Sequence, residues 1–93
     1  MVGCPAVLVE LTTFRLADGV DEAAFLAADA EVQADLSPEP GFVRRTTARG
    51  DDGTWLVLAM WWSAGHADEA PPPVPTDLVD GGSLRRERYT TLD

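Results

Sequence analysis

Lysine is missing from this chain, and cysteine, histidine and tyrosine each occur once. A lone Cys4 excludes an internal disulfide, and Cys4 with His66 falls short of the roughly four ligands that a structural zinc site needs. Walker loops, Gly-x-Gly-x-x-Gly, His-Glu-x-x-His and Gly-x-Ser-x-Gly are all lacking, so neither a metal nor another cofactor is expected. No apolar run approaches the roughly 20 residues that cross a bilayer. Met1 to Leu11 carries neither a basic n-region nor a small-residue cleavage site, which makes cytoplasm the expected location.

What charge there is leans one way. Sixteen acidic residues face seven basic ones, all arginine, for a net charge of −9. Such a surface repels phosphate backbones and anionic membranes, so neither nucleic acid nor membrane is an expected partner. The RNP aromatic pattern of RNA-binding ferredoxin-like domains is also missing. Abundant Ala, Asp and Arg without lysine point to a GC-rich bacterial genome. The 93 residues are read as a single domain, 1–93. A chain of this length buries only about 60–65% of its unfolded surface, and without staples association is its remaining route to more.

Val7 to Leu16 is rich in β-branched and aromatic residues and predicts a strand with two apolar faces. Val7, Val9 and Leu11 lie on one; Leu8, Glu10, Thr12, Phe14 and Leu16 lie on the other. Asp21 is placed to cap a helix whose apolar stripe is Phe25, Ala28, Val32 and Leu36, with Asp29, Glu31 and Asp35 elsewhere. Ser37-Pro38-Glu39-Pro40 stops it. Gly41 to Arg49 and Thr54 to Trp62 predict a hairpin around Gly50-Asp51-Asp52-Gly53. Ser63 caps a short helix over Ala64 to Ala70, halted by Pro71-Pro72-Pro73, and Leu84 to Leu92 closes the sheet. The order is βαββαβ. It predicts an α+β, ferredoxin-like, four-stranded antiparallel sheet of strand order 4-1-3-2 with both helices on one face.

The other face then carries Val7, Val9, Leu11 and one side of the third strand. A monomer rarely leaves a contiguous apolar patch above a few hundred Å² in water. A face-to-face homodimer is the first expectation. A monomer whose proline-rich loop folds over that face is the second.

Four stretches carry a family resemblance: Leu16-Ala17-Asp18-Gly19 before the acid-capped helix, Pro40-Gly41-Phe42, Asp52-Gly53-Thr54-Trp55, and Trp61-Trp62-Ser63 followed by Ala67. In that order the chain resembles the antibiotic-biosynthesis-monooxygenase (ABM) superfamily of dimeric α+β barrels. The likeness runs from about Val7 to Ala70, with Tyr89 to Asp93 like the closing strand. It implies a ferredoxin-like fold, a dimer, and a cleft between sheet and helices. It implies no single activity, since relatives include cofactor-free oxygenases of aromatic polyketides and haem-degrading enzymes. The haem branch takes a histidine ligand from the second helix. Here the proline run curtails that helix and His66 stands at its start, so that ligand is not carried over.

Trp55, Val57, Ala59 and Trp61 share one face of the third strand. Alanine between two indoles leaves a recess where a flat ligand can stack, although such rings more often fill a core. Leu56, Leu58, Met60 and Trp62 are the packing face. Glu10, amid apolar neighbours, is either a proton acceptor toward a phenolic substrate or the partner of Arg86 or Arg88 on the closing strand. His66 is the sole side chain that ordinarily titrates near neutrality, though its place favours the surface. Thr12, Phe14, Arg45 and Tyr89 complete the candidate cleft, with an arginine to hold a carboxylate or phenolate. Arg44, Arg45, Arg85, Arg86 and Arg88 sit on opposite sheet edges, where edge protection is their usual work. Two functions remain open: a dimeric module binding a small hydrophobic or aromatic molecule, and a cofactor-independent monooxygenase acting on an aromatic, polyketide-like substrate.

Overall fold

The computed structural model describes residues 6–92, which leaves Cys4 outside the described part. Strand β1 is Leu8–Phe14, shorter than the apolar run that encodes it. It ends early because Arg15 leaves the ladder: its backbone N–H donates to Ser83 Oγ at 2.8 Å. Gly19, at φ 83°, then turns the chain. Helix α1 is Glu22–Leu36, and the Asp21 carboxylate accepts the Ala24 N–H at 2.7 Å. Strands β2 (Phe42–Arg49) and β3 (Trp55–Trp61) form the hairpin. Helix α2, Ala64–Glu69, starts on Ser63, whose Oγ accepts the His66 N–H. Two 3-10 turns, Thr76–Leu78 and Gly81–Ser83, lead into β4, Arg85–Thr90.

The four strands form one antiparallel sheet ordered β2-β3-β1-β4, the arrangement read from the sequence. Both helices lie on one face. Phe25 of α1 packs with Phe14, Trp55 and Val57, and Ala67 and Ala70 at α2 pack with Trp61, Ala59 and Leu36. These make two apolar clusters on the same side of the sheet. Val74, after the prolines, belongs to the first cluster. The proline-rich segment therefore closes the helix side. It does not fold over the opposite face, as the monomer alternative requires.

Register fixes that opposite face. Val9, Leu11, Leu56, Leu58 and Met60 alternate with buried residues of β1 and β3, and all five stay half-buried. Trp62, Val43 and Tyr89 are exposed at 54%, 43% and 49%. This strip has no cover within the described residues.

One helix position departs from the expected stripe. Asp29 lies on the buried face of α1 with Phe25 and Leu36, while Ala28 is only half-buried. Spacings of 4, 3 and 4 through positions 25, 29, 32 and 36 define that face. A carboxylate is tolerated there because Arg45 meets it: Nη2 donates to Asp29 Oδ1 at 2.5 Å, and Thr47 Oγ1 donates to Oδ2 at 2.8 Å. Arg45 also donates from Nε and Nη2 to the Pro73 carbonyl at 3.2 and 2.9 Å. Its side chain is 1% exposed. Arg45 stands directly across from Ala59 in the register, so this polar knot lies between the two apolar clusters.

Removing one partner of a buried pair is far worse than replacing both. Arg45→Met should lower unfolding free energy by about 3–5 kcal/mol. Adding Asp29→Leu should recover most of that loss; urea titration of the single and double variants reads the difference.

Candidate functional site

The helix-covered face of the sheet reads Glu10, Thr12 and Phe14 on β1 beside Arg86 and Arg88 on β4. Cross-strand pairing sets Glu10 opposite Arg88 and Thr12 opposite Arg86. Near the Trp61 end of the sheet a cavity of about 370 Å³ opens between sheet, α2 and the proline segment. Glu10, Trp61, Arg86 and Arg88 form its sheet wall; Ala67 and Asp68 of α2 and the run Pro71-Pro72-Pro73 form the roof.

Glu10 is 4% exposed, and its negative charge is compensated. Arg88 Nε donates to Glu10 Oε2 at 2.8 Å, while Arg86 Nε stands 3.8 Å from Oε1. Thus one carboxylate oxygen is engaged and the other faces a cation beyond hydrogen-bond reach. Arg88 reaches both ways, since its Nη2 also donates to Asp68 Oδ1 at 2.7 Å. Those hydrogen bonds, to Asp68 first and Glu10 second, raise the guanidinium pKa above its ordinary value. The chain of contacts Asp68–Arg88–Glu10 ties α2 to the cavity floor. Thr12 Oγ1, two residues along the same face, is buried without a hydrogen-bond partner among the described residues.

The other sequence candidates scatter. Phe14 and Trp55 sit in the first apolar cluster, with Phe25 between them at ring-centroid distances of 5.6 and 4.7 Å. The two indoles of β3 do not share a recess, because the Arg45–Asp29 knot lies at the level of the intervening Ala59. Arg45 itself is fully engaged in that knot. His66 lines a separate cavity of about 240 Å³ with Glu39 and Glu69, its Nδ1 2.8 Å from Ser63 Oγ. Its ring lies over Gly41, at φ 78°, where an added Cβ would collide with the imidazole. Tyr89 pairs with Val9 and so belongs to the uncovered face. Its hydroxyl donates to Glu87 at 2.8 Å, and that bond raises the phenol pKa.

Asp29 and Asp68 are the residues that sequence reasoning passes over. For Asp29 the helical spacing holds the signal; for Asp68, on an exposed helix turn, none exists. Among the described residues no cluster of three or more His, Cys, Asp or Glu is placed to hold a metal ion. Among the described residues, too, no helix is long and apolar enough to cross a membrane.

This α+β fold recurs in solved structures of low sequence identity. The chain superposes on SnoaB, a cofactor-independent oxygenase from Streptomyces nogalater, with a TM-score of 0.74, 21% identity and 94% of each chain covered. A putative antibiotic biosynthesis monooxygenase from Chloroflexus aurantiacus gives 0.67 at 13% identity, again over 94% of both chains. NE2512, a protein of unknown function from Nitrosomonas europaea, gives 0.75 at 14% identity over 98% of this chain and 94% of its own. At such identities the likeness is one of fold. No family model matches the sequence. No curated protein matches it either.

The two contacts of Arg88 predict unequal sensitivities. Arg88→Met leaves a buried carboxylate without its donor and should cost about 1–3 kcal/mol. Asp68→Asn removes an exposed contact worth about 0–1 kcal/mol. Thermal unfolding of the two variants should therefore separate clearly.

Proposed function

We propose that residues 1–93 act as one ABM-like domain that pairs with a second copy and binds a small hydrophobic or aromatic molecule in the Glu10–Trp61 cavity. The observation that carries this reading is the cavity itself. An indole, a proline wall and two alanines supply apolar surface, and one buried carboxylate with two guanidiniums supplies orientation. Binding sites for small molecules combine apolar lining with a few placed polar groups, and this cavity has both, with a larger polar share than most. Trp61, 2% exposed and packed edge-on with Phe42, backs the apolar side of the cavity and meets a ligand only along the part of its ring that lines it. Arg86 and the unengaged Oε1 of Glu10 address the polar edge of such a ligand.

Pairing follows from the uncovered strip of Val9, Leu11, Leu56, Leu58 and Met60. Packing two such strips about a twofold axis removes both from water, and only the identical surface is self-complementary in this way. The charge of −9 leaves the strip as the part of the surface least opposed to pairing.

A second reading is that the bound molecule, once deprotonated, gives its electrons to dioxygen without a cofactor, one oxygen atom entering the product and the other leaving as water. The fold likeness to SnoaB favours it. In this reading Glu10 Oε1, which accepts no hydrogen bond among the described residues, takes a proton from a phenolic substrate, and Arg86 faces the resulting anion. His66 has no part in it, since its ring lies in another cavity.

Quenching of tryptophan emission by a hydroxylated polycyclic aromatic tests the binding reading. Saturable quenching that weakens about tenfold or more in Trp61→Ala supports it; identical quenching in Trp61→Ala and Trp62→Ala would sink it. Oxygen uptake with the same compound, lost in Glu10→Gln while quenching persists, selects the oxygenase reading. For pairing, light scattering at micromolar concentration should give two chains for the native protein and one for Leu58→Glu.

A further inference from the structure

At the opposite end of β1 from Glu10, three strand ends and a turn enclose a second polar pocket of about 260 Å³. Thr13, Phe14, Arg15, Thr54, Ser83 and Arg85 line it. Its composition is unlike the rest of the surface. A chain with sixteen acidic and seven basic residues here brings two guanidiniums and three hydroxyls to one pocket, and among the described residues no carboxylate lines it.

The local structure is prearranged. Arg15 is held by a closed ring of bonds: its N–H donates to Ser83 Oγ at 2.8 Å, and that hydroxyl donates to the Asp80 carbonyl at 2.7 Å. The Asp80 N–H in turn donates to the Arg15 carbonyl at 2.9 Å. Arg15 Nη1 donates to the Asp52 carbonyl at 3.1 Å, leaving its other side-chain donors without partners among the described residues. Its head lies against Gly53, where φ is 86° and an added Cβ would stand 3.2 Å from Nη1. Arg85 is the cross-strand neighbour of Thr13. Among the described residues its guanidinium takes no part in the ion pairs, which involve Arg45, Arg49, Arg86 and Arg88.

The nearby acids do not line the pocket, and each holds a backbone N–H with one oxygen. Asp80 Oδ1 accepts the Gly82 N–H at 3.0 Å. Asp52 Oδ1 accepts the Thr54 N–H at 3.0 Å, and this bond, with a smaller contribution from Arg15, keeps the carboxyl below its ordinary pKa. Two like charges gathered in one pocket repel unless an anion lies between them.

We propose that this pocket binds the phosphoryl group of a small phosphate ester. A phosphate dianion balances two guanidiniums, and its three terminal oxygens accept more of the available donors than a carboxylate's two. The planar forks of Arg15 and Arg85 suit bidentate contact with such oxygens, and the Thr13 and Thr54 hydroxyls supply neutral donors. The overall charge of −9 opposes a polyanion, so a single phosphoryl group is the form of the ligand. The pocket stands apart from the Glu10 cavity, and the proposal does not depend on what that cavity binds.

Calorimetric titration at constant ionic strength tests it, with inorganic phosphate and phenyl phosphate as probes and benzoate and chloride as controls. Both phosphates should bind once per chain, and Arg85→Gln should weaken them at least about tenfold. Arg44→Gln, an arginine outside the pocket, should leave affinity unchanged. Arg85 is exposed and makes no ion pair among the described residues, so its variant should melt with the native protein. Equal affinity for benzoate, equal weakening in Arg44→Gln, or no phosphate binding at millimolar concentration would overturn the proposal. So would an altered subunit mass in Arg85→Gln with phosphate affinity intact, which makes Arg85 a contact between copies.

Discussion

Two layers of apolar side chain hang on one sheet, and the described residues cover only one of them. Everything else in the molecule answers to that imbalance. β1 and β3 are apolar on both faces, so burial of one side by α1, α2 and Val74 leaves Val9, Leu11, Leu56, Leu58 and Met60 half-buried at best. Hydrophobic burial is nondirectional and scales with area, so this strip seeks any apolar partner of matching shape. The proline-rich segment is committed to the helix side by Val74 and by the Arg45 bonds to Pro73.

That commitment explains an otherwise costly feature. A buried arginine and aspartate contribute less than well-packed apolar residues of equal volume would. Arg45, however, stands on β2 beside Thr47 and joins that strand to α1 through Asp29 and to the segment after α2 through the Pro73 carbonyl. The directionality of its fork fixes where the proline wall stands. That wall is one side of the Glu10 cavity, so a residue outside the cavity sets its width.

Much of this is legible in the sequence. Strand order, helix sides and both N-caps follow from alternation, from Asp21 and Ser63, and from the right-handed crossover rule. The pairing of Glu10 with Arg88 is one of two readings the strand pattern allows. Asp29 is misplaced by the apolar stripe because hydropathy weighs residues one at a time. Its burial depends on Arg45, sixteen positions away, and a helix pattern holds no record of that. Phe14, Trp55, Tyr89 and His66 fall into one expected cleft for a related reason. Periodicity assigns a face, but the level along the strand is set by what packs above it. Arg45 at the level of Ala59 divides the face that alternation alone treats as continuous.

The same division bears on chemistry. A fold shared at 13–21% identity transmits a frame and leaves each site to its own side chains. In this frame Glu10 is not an isolated acid in an apolar pocket. Arg88 binds one oxygen and Arg86 faces the other, so the buried charge is answered on both sides. An anionic carboxylate with a free oxygen beside an indole serves equally to orient a hydroxyl and to accept its proton. Which of these it does turns on whether the ligand becomes more acidic when Arg86 faces it. Under the proposed reading, the choice between binding and catalysis rests with Arg86, half exposed at the cavity mouth, rather than with the buried Glu10.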